Sequence, residues 1–496
     1  MIAPLALSPD LQPEVLARAL DARDARFDGL FFVGITTTGI YCRPVCPARV
    51  SIFSRRRFFG SAAAAECSGF RPCLRCRPEL APGRALVDAV PRLAQAAATR
   101  IAAGALNGHT VANLARELGV SERHLRRALE REVGASPLDL AQTHRLLLAK
   151  RLLADTALPV TQIAFASGFQ SLRRFNAAFR TQYRMPPTAL RRSVVTQRSA
   201  PVSAERSLLR LTLAYRPPLA WDVMLDTLRR QAITGVELIA QGTYSRLVEL
   251  HGRRGLVRVQ DASAPRRTRR AASSVAPRAA QLTLDVSPAL VPVLMPLLAR
   301  LRHVFDLDAE PSVIDAHLAA GGLAALVARH PGLRLPSAMS GFEAAFRVLL
   351  GRRAAAVVAA LGERFDSGIP ELDRTMPGAA GVLAAGGARL RACSVSSTTA
   401  EALLTVAQLL DDGALRLEPG ASVTAAHDAL AAIRGVGERR AVAIVTRALG
   451  WPDAFAASDR VLQRAAGTTS ARELAARADA WRPWRAYAAL HLTFGG

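Results

Sequence analysis

Four cysteines near the beginning of the chain constrain its fold more than any other feature. They form two pairs, Cys42-x3-Cys46 and Cys73-x2-Cys76. Thiols paired at this spacing allow a short, loop-rich segment to bind a tetrahedral zinc ion. No secretory signal precedes them, so we expect reduced metal ligands rather than disulfides. The sequence therefore predicts one Zn²⁺ bound by Cys42, Cys46, Cys73 and Cys76.

Two further cysteines are not explained by this pattern. Cys67 lies between the pairs but has no close partner thiol. It could replace one of the ligands, but a small buried apolar side chain is the simpler interpretation. Cys393 lies in no comparable motif, and we assign no function to either residue.

The residues around the thiols resemble a known family. Residues 31–49 are FFVGITTTGIYCRPVCPAR, and residues 69–78 are GFRPCLRCRP. Across residues 21–80 the sequence is similar to the N-terminal zinc domain of the Ada response proteins, which sense alkylated DNA. In that family the first cysteine of the tetrad removes a methyl group from a DNA phosphotriester. The resemblance implies that Cys42 is both a zinc ligand and the methyl acceptor.

Elementary electrostatics agrees with that role. Four thiolates around one divalent cation leave two net negative charges, so a ligand sulfur stays ionised and nucleophilic at neutral pH. Methylation of one sulfur removes one negative charge, and the cluster then repels DNA phosphates less. The spacing alone favours a closed zinc site that only folds its domain, and methyl transfer is implied by the resemblance.

The charge balance favours a polyanionic partner. The chain has 65 lysine and arginine residues against 40 aspartate and glutamate residues, a formal charge of +25. Nearly all of the basic residues are arginine, and Lys150 is the only lysine. This balance agrees with a DNA partner, and the resemblance implies double-stranded DNA, both damaged DNA and promoter DNA. We expect no apolar run of the roughly 18 to 20 residues that a membrane helix needs, and hence a cytoplasmic protein without membrane contact.

A second pattern follows the zinc segment. Residues 110–133 carry apolar side chains at helical spacing on both sides of a central turn, which is typical of a helix-turn-helix. The pattern recurs at residues 160–180, and residues 137–155 are predicted to form a helix between the two motifs. Closed by YRMPP at residues 183–187, this pair of motifs resembles the AraC-type DNA-binding domain.

The second helix of each motif is expected to lie in a major groove of DNA. The side chains predicted to face the groove are Arg123, Arg126 and Arg127 in the first motif, and Arg173 and Asn176 in the second. Arginine can form two hydrogen bonds with guanine, and asparagine can do the same with adenine. For each residue a phosphate contact stays open as the alternative, because phosphate contacts make up half or more of such interfaces.

The next part of the chain is predicted to be β-rich. Residues 191–207 are rich in serine, arginine and small residues and indicate a linker. Residues 208–215, 247–259 and 281–286 alternate apolar and polar side chains as strands do. Residues 262–280 contain five arginines among small residues and prolines and indicate a disordered surface loop.

Beyond residue 290 the sequence is rich in alanine and leucine and predicts helices. Within it, residues 430–444 have the form of a helix-hairpin-helix. Gly435 and Gly437 would let its tight turn approach a DNA backbone, and the amides of the following helix would bind phosphate. FAASD at residues 455–459 and WRPWRAYAALH at residues 481–491 follow. Across residues 208–496 this order resembles the AlkA-type 3-methyladenine DNA glycosylases.

The resemblance implies a catalytic residue. That family flips a damaged purine out of the duplex and cleaves its glycosidic bond, with an aspartate beyond the hairpin that falls on Asp459. A carboxylate there would stabilise the developing oxocarbenium ion, and the reaction needs no metal or redox cofactor. Taken alone, Asp459 would be a helix cap or an exposed charge.

Several positions depart from that family. After Gly351 the family has glutamine-rich sequence, whereas this chain has Arg352 and Arg353. Arg439, Ala443 and Thr493 stand where the family has aromatic side chains that stack on a cationic base. Two hypotheses therefore stay open. The protein either accepts methyl groups, activates transcription and excises alkylated purines, or it is a regulator only, with a glycosylase-like region that binds DNA without cutting it.

The predicted architecture is multidomain and mainly α. We expect an α+β zinc methyl-acceptor domain at 1–85, an all-α double helix-turn-helix at 86–190, a linker at 191–207, a β-rich glycosylase subdomain at 208–290 and an all-α helix-hairpin-helix domain at 291–496. The expected enzyme is a monofunctional DNA-3-methyladenine glycosylase with stoichiometric methylphosphotriester methyltransferase activity. A monomer is expected, with RNA polymerase as a partner.

Overall fold

The chain divides into two compact units. The computed structural model describes residues 12–48, 51–83, 92–195, 208–262 and 280–495. The first unit combines Met1–Arg216 with Arg267–Ala299, and the second combines Pro217–Arg266 with Arg300–Gly496. The cysteine-rich segment and both helix-turn-helix motifs therefore belong to the first unit, and the helix-hairpin-helix belongs to the second.

The cysteine-rich segment folds as a small α+β layer. Its helices are α1 (Pro13–Asp21) and α2 (Ala62–Cys67), and its strands are β1 (Phe32–Ile35), β2 (Ile40–Cys42), β3 (Arg56–Phe59) and β4 (Arg71–Pro72). The strand order is β3-β1-β2-β4; β1 is antiparallel to β2 and β3, and β2 is parallel to β4. A Cβ atom on Gly34 in β1 would lie 2.8 Å from the Phe70 ring and 2.9 Å from the Phe59 ring. The two rings can therefore pack against β1 at this position only because residue 34 is glycine.

The two helix-turn-helix motifs have the predicted arrangement. Their segment contains α3 (Arg92–Ala102), α4 (Val111–Glu117), α5 (Glu122–Glu132), α6 (Pro137–Asp155), α7 (Val160–Ala166), α8 (Leu172–Tyr183) and α9 (Pro187–Val195). Side-chain oxygens of Thr110, Ser121, Ser136 and Ser171 accept backbone amide hydrogen bonds and so begin α4, α5, α6 and α8. Helix α9 extends five residues into the segment expected to be a linker, and residues 196–207 lie outside the described residues.

The β-rich region contains more strands than predicted. Its elements are β5 (Leu209–Ala214), α10 (Trp221–Gln231), β6 (Glu237–Ala240), β7 (Thr243–Leu250), β8 (Arg253–Asp261) and β9 (Gln281–Val286). In the first unit β5 is antiparallel to β9, and in the second unit β6, β7 and β8 form an antiparallel meander. The prediction of one strand over residues 247–259 is wrong. His251 and Gly252, with φ of +48° and +71°, turn the chain between β7 and β8. Most of the predicted disordered loop, residues 263–279, lies outside the described residues.

The remainder of the chain is helical, as predicted. Its helices are α11 (Leu294–Val304), α12 (Pro311–Leu318), α13 (Ala324–Arg329), α14 (Gly341–Leu350), α15 (Ala354–Leu361), α16 (Ala379–Ala392), α17 (Ser397–Asp411), α18 (Val423–Ala431), α19 (Gly437–Leu449), α20 (Arg460–Ala465), α21 (Ala471–Ala478) and α22 (Arg485–Gly495). Helix α14 packs against α17 and α19, and α18 packs against α19. Phe346, Leu403 and Ile444 are fully buried between them. The protein is therefore multidomain and mainly α, with two regions that contain sheet.

A buried ion network joins the meander to α14. Arg246 on β7 donates from Nη1 to Glu343 Oε1 at 2.8 Å. Arg347, one turn along α14, donates from Nε to the same oxygen at 2.8 Å and from Nη2 to Glu237 Oε2 at 2.7 Å. Burial alone would raise the pKa of Glu343, but the positive charges of Arg246 and Arg347 outweigh it and lower the pKa to about 2.

We predict that Glu343→Gln destabilises the second unit by about 3 to 5 kcal/mol, because it leaves the two buried guanidinium groups of Arg246 and Arg347 with Glu237 as their shared counter-charge. Folding lowers the pKa of Glu343 from 4.5 to about 2. This contribution to stability is therefore complete above about pH 4.5 and is lost as the pH falls toward 2. The exposed pair of Arg254 and Glu363 provides the control. Glu363→Gln should cost less than about 1 kcal/mol.

Urea unfolding followed by tryptophan fluorescence measures this effect in the second unit alone. All four tryptophans belong to that unit: Trp221, Trp451, Trp481 and Trp484. If Glu343→Gln and Glu363→Gln cost the same free energy of unfolding, the buried network does not hold β7 to α14 in the way described.

One segment among the described residues is long and apolar enough to cross a membrane, contrary to the sequence-based expectation. Residues Pro311–Arg329 reach a mean hydropathy of 1.4. They are not one continuous helix, because a π-turn at Ala319–Leu323 separates α12 from α13 and Gly322 has a φ of +92°. Asp315 within the segment also accepts a hydrogen bond from the Gly332 amide at 2.8 Å. One such segment is weak evidence for a membrane span, since core helices of folded proteins meet the same criteria.

Candidate metal centre and nucleic-acid interface

The four predicted ligands lie together. The Sγ atoms of Cys42, Cys46, Cys73 and Cys76 are all within 4.8 Å of one another. A tetrahedral zinc ion with Zn–S bonds of about 2.3 Å needs sulfurs about 3.8 Å apart, so small side-chain adjustments bring this set to that geometry. All four donors are sulfur, the set typical of structural zinc sites. The tetrad is a site for one Zn²⁺, as the sequence predicted.

The loops that carry the ligands also support the sulfurs. The backbone amide of Arg43 donates to Cys76 Sγ at 3.4 Å, and that of Arg75 donates to Cys73 Sγ at 3.3 Å. The buried Arg43 guanidinium pairs with Asp28 and donates to the Cys76 carbonyl at 3.2 Å. The contacts of Arg43 connect the two ligand loops to each other, and the amide of Arg75 orients the Cys73 sulfur within its own loop.

Cys42 differs from its partners in access. Cys46, Cys73 and Cys76 are 6–8% exposed, whereas Cys42 is only partly buried. Hydrogen bonds from the crowded partner thiols, first that with Cys46, raise the pKa of Cys42, and hydrogen bonds, first that with Cys42, lower the pKa of Cys73. Four thiols at this distance therefore do not ionise together without a cation between them. Cys42 is therefore the most exposed residue of the four.

The other two cysteines lie outside the tetrad. Cys67 ends α2 and is exposed, so its interpretation as a buried apolar residue is wrong. The reason is the length of α2, since its buried positions, Ala63, Ala64 and Ala65, end before Cys67. Cys393 is partly buried and packs against the helical core of the second unit.

The first set of residues predicted to contact DNA lies on α5. Arg123 and Arg127 are exposed and line one open groove of about 890 Å³ with His124. Arg126 is only half exposed, because its Nε donates to Glu122 Oε1 at 3.0 Å in an i, i+4 ion pair. A base contact by Arg126 would first have to break this pair.

The second set lies on α8. Arg173 is exposed in the first turn of the helix, and Asn176 is partly buried. Phe175 and Phe179, fully buried, hold the opposite face of α8 against the domain core. The predicted residues of this motif therefore lie on the side of the helix that faces away from the core.

The helix-hairpin-helix turn joins α18 to α19. Gly435 has a φ of +90°, and a Cβ atom there would lie 2.8 Å from Thr398 Cγ2, so α17 requires glycine. Gly437 has a φ of +67° and no heavy atom within 4 Å of its Cβ position. Arg440 donates from Nη1 to the Gly435 carbonyl at 2.6 Å, a contact that the sequence did not indicate. The turn is thus rigid, with open space in front of Gly437 for a ligand backbone.

A histidine bridges the same hairpin. His427 on α18 lies 3.0 Å from Asp428 Oδ1 and 3.1 Å from Glu438 Oε1 in the first turn of α19. Partial burial lowers the pKa of His427, but the hydrogen bonds to these two carboxylates outweigh it and raise the pKa.

Asp459 begins the helix after this motif. Its Oδ1 accepts a hydrogen bond from the Val461 amide at 2.8 Å, so the side chain caps α20. The cap leaves Oδ2 without a hydrogen bond from the described residues. The loop before it is fixed by Gln463, which donates from Nε2 to the Ala457 carbonyl at 2.9 Å. The structure therefore places a partly buried carboxylate at a defined position beyond the hairpin.

Four of the residues that depart from the glycosylase family lie on the surface. Arg352 and Arg353 form an exposed 3-10 turn between α14 and α15. Arg439 on α19 is exposed, and Thr493 is exposed with its hydroxyl donating to the Ala489 carbonyl at 2.7 Å. Thr493 has no aromatic surface to stack on a base, and Arg439 presents a positive charge in place of an aromatic ring.

A zinc tetrad, two helix-turn-helix motifs and a helix-hairpin-helix in one chain define a DNA-binding protein of the repair and regulation class. Residues 16–79 match the family described as the metal binding domain of Ada, residues 114–193 match a helix-turn-helix domain family, and residues 210–340 match the AlkA N-terminal domain.

Curated relatives extend this match over the whole chain. A probable bifunctional transcriptional activator/DNA repair enzyme AlkA of Mycobacterium tuberculosis is 36% identical over 490 residues, 96% of this chain and 95% of that protein. DNA-3-methyladenine glycosylase 2 of Escherichia coli is 30% identical over 295 residues, 57% of this chain and 96% of that protein. Bifunctional transcriptional activator/DNA repair enzyme Ada of Escherichia coli is 32% identical over 147 residues, 29% of this chain and 39% of that protein. The chain belongs to the family of AlkA-type bifunctional transcriptional activator/DNA repair enzymes.

Proposed function

We propose that the protein takes a methyl group from a DNA methylphosphotriester onto Cys42, activates transcription in response, and excises alkylated purines from DNA. The observation that carries the first step is the access of Cys42, the one ligand of four that is not buried. Bound zinc keeps the ligand sulfurs ionised at neutral pH.

The methyl transfer balances without a further reactant. Cys42 Sγ attacks the methyl carbon, and the carbon–oxygen bond of the phosphotriester breaks with its electron pair remaining on the phosphate oxygen. The products are a thioether on Cys42 and an ordinary phosphodiester. Because the thioether cannot return to a thiolate by itself, each protein molecule accepts one methyl group, and the transfer is stoichiometric.

Methylation then changes DNA affinity. The tetrad loses one negative charge at a surface that approaches phosphates, so the methylated protein binds DNA more tightly, and the gain shrinks as salt rises. One chain supplies two helices for two successive major-groove segments, which supports a monomer as the binding unit. Activation by such a monomer implies a contact with RNA polymerase. Zinc bound by reduced thiolates supports a cytoplasmic location.

We predict that Arg173→Ala weakens specific DNA binding by about 1 to 3 kcal/mol if the side chain contacts a base. Arg126→Ala should cost less, because Arg126 must give up its ion pair with Glu122 before it binds. Titrations on specific and scrambled duplexes at several salt concentrations measure both. An equal loss on both duplexes would identify a phosphate contact instead of a base contact.

Base excision is proposed for the second unit. The bond between C1′ and the purine nitrogen breaks with its electron pair going to the base, and water adds to C1′. Asp459 stabilises the positive charge that develops on the sugar and accepts the proton of the water. Gly435 and Gly437 hold the DNA backbone beside the lesion.

The glycosylase is proposed to be monofunctional. A glycosylase that also cleaves the DNA strand uses an amine to form a Schiff base with the sugar. The only lysine, Lys150, is a buried residue of α6 in the first unit, and its ammonium group is engaged there. No lysine amine is therefore present in the second unit.

An excision assay tests this proposal. Duplexes carrying 3-methyladenine, 7-methylguanine or hypoxanthine are incubated with wild-type protein, and release of the free base is measured. Release of base with an intact strand, and no covalent adduct after borohydride treatment, is the expected result. Release from none of the three duplexes would favour the alternative of a regulator whose second unit only binds DNA.

A further inference from the structure

Lys150 stands out from the rest of the chain. The chain has 65 lysine and arginine residues, and all of them except Lys150 are arginine. Its side chain is 3% exposed, in the last two turns of α6, the helix between the two helix-turn-helix motifs. A lone buried lysine in such a sequence needs a physical reason at its own position.

The ammonium group joins α6 to the zinc ligand loop. Lys150 Nζ donates to the carbonyl oxygen of Cys73 at 2.9 Å and to Glu79 Oε2 at 2.6 Å. Glu79, with a side chain 2% exposed, comes three residues after the last ligand. A compact ammonium can serve two acceptors that converge on one point, whereas the planar fork of arginine directs its donors apart.

A second ion pair also attaches the zinc ligand loop to α6. Arg77, the residue after the last ligand, donates from Nε to Glu79 Oε1 at 3.0 Å. It also donates from both Nη atoms to the two carboxylate oxygens of Asp155 at 2.8 Å each. Asp155 ends α6, so the loop that carries Cys73 and Cys76 is attached to this helix at two points.

The loop of the methyl acceptor is attached to the same helix. Tyr41, which precedes Cys42, donates its hydroxyl to Glu66 Oε1 at 3.0 Å. Thr143 on α6 donates its hydroxyl to Glu66 Oε2 at 2.7 Å. Both halves of the tetrad are therefore connected through buried polar groups to the helix that carries the two DNA-binding motifs.

We propose that Lys150 is a positioning residue that fixes the zinc ligand loop on α6, so that the tetrad and the recognition helices meet DNA as one rigid surface. This inference rests on the proposed methylation switch. When two binding surfaces are held rigidly, a gain at one adds fully to the affinity of the whole, because the second contact is intramolecular. If the ligand loop is only loosely attached to α6, it has to become ordered when the protein binds DNA. The entropy cost of that ordering reduces the gain in affinity that methylation brings.

The test compares affinities of the full chain before and after methylation. Wild-type protein, Lys150→Met and Lys150→Arg are each methylated with a phosphotriester-containing duplex. Kd is then measured on a duplex selected in vitro with methylated wild-type protein. Zinc content, the rate of methyl acceptance and hydrogen exchange of amides at residues 73–80 and in α6 are measured in parallel.

We expect Lys150→Met to keep its zinc and to accept a methyl group, while the ratio of unmethylated to methylated Kd falls about tenfold from the wild-type ratio. Exchange at residues 73–80 and at the end of α6 should rise together. Glu117→Gln, which breaks the surface pair of Arg100 and Glu117 in the same unit, should leave the ratio unchanged.

The outcomes separate this inference from the proposed function. If wild-type protein shows no methylation-dependent gain, the switch itself is wrong. If wild-type shows the gain and Lys150→Met keeps it within twofold with unchanged exchange, the positioning role is wrong. If Lys150→Met loses its zinc, Lys150→Arg, which keeps a positive charge beside Glu79, takes its place in the comparison. A ratio of unmethylated to methylated Kd within twofold of the wild-type ratio would then show that the positioning role is wrong, and a lower ratio would support it.

Discussion

Cys73→Ser should cost the protein its zinc and, with it, the fold of residues 12–83. Among the described residues, the ligands Cys46, Cys73 and Cys76 form their own small buried cluster, and two small clusters of five and six buried residues lie within the same segment. So small a core leaves the metal as the dominant stabilising contribution. Structural zinc contributes about 10 to 16 kcal/mol in zinc-finger peptides, which equals or exceeds the stability of a typical domain.

Metal analysis and circular dichroism of the full chain measure this loss, and the second unit is an internal reference. Since all tryptophans lie in that unit, the urea transition seen by tryptophan fluorescence should stay where it is in wild-type protein. Cys67→Ser is the matched control, because Cys67 is exposed and outside the tetrad. A Cys73→Ser protein that retains stoichiometric zinc would contradict the assigned ligand set.

The same preparation locates the methyl acceptor. After incubation with phosphotriester-containing DNA, mass spectrometry should find one methyl group on Cys42. The other three ligands are less exposed than Cys42, and Cys67, although exposed, has its pKa raised by partial burial of the sulfur to about 11 and is a thiol at neutral pH. A methyl group on another cysteine would rule out Cys42 as the nucleophile.

The sequence alone was sufficient to predict the structure where a local pattern of residues has one structural interpretation. The cysteine spacing located the tetrad, and the predicted helix over residues 137–155 has the bounds of α6 because Ser136 and Pro137 mark its start. The glycines of the hairpin were equally informative, since positive φ at Gly435 and Gly437 leaves few alternatives.

Features without a clear local signal, or with partners distant in sequence, were missed. Nothing near Arg440 indicates that its guanidinium donates to the carbonyl of Gly435, and β6 is too short to show a clear alternation. The split between β7 and β8 was hidden because His251 adopts a positive φ without being glycine. Lys150 had a signal, its uniqueness in the composition, but its partners Cys73 and Glu79 lie more than seventy residues earlier.

Asp459→Asn should lower base excision by about 10²- to 10³-fold and leave DNA binding intact. The structure makes this substitution a clean test of charge. Asp459 caps α20 by accepting from the Val461 amide, and asparagine is an equally good cap, so the fold of the helix should not change. What changes is the negative charge beside the sugar, which is needed only as the oxocarbenium ion develops.

Two controls separate charge from capping. Asp459→Ala removes both the charge and the helix cap. It should lower excision as much as Asp459→Asn does and should also lower stability by about 1 kcal/mol. Asp479→Asn removes an exposed carboxylate at the end of α21 and should keep full activity. Single-turnover rates on the hypoxanthine duplex, with Kd measured on the same duplex, distinguish a chemical defect from a binding defect.

The relative rates on different bases follow from the side chains near the hairpin. An exposed guanidinium at Arg439 and the hydroxyl of Thr493 offer no stacking to a cationic purine, and Arg439 repels it. Excision should therefore be slow, and the balance between hypoxanthine and 3-methyladenine should shift toward the neutral base compared with aromatic-lined relatives. The shift should diminish at high salt, because the repulsion is screened. If Asp459→Asn stays fully active on every base that wild-type protein releases, another group stabilises the sugar cation and Asp459 is a helix cap only.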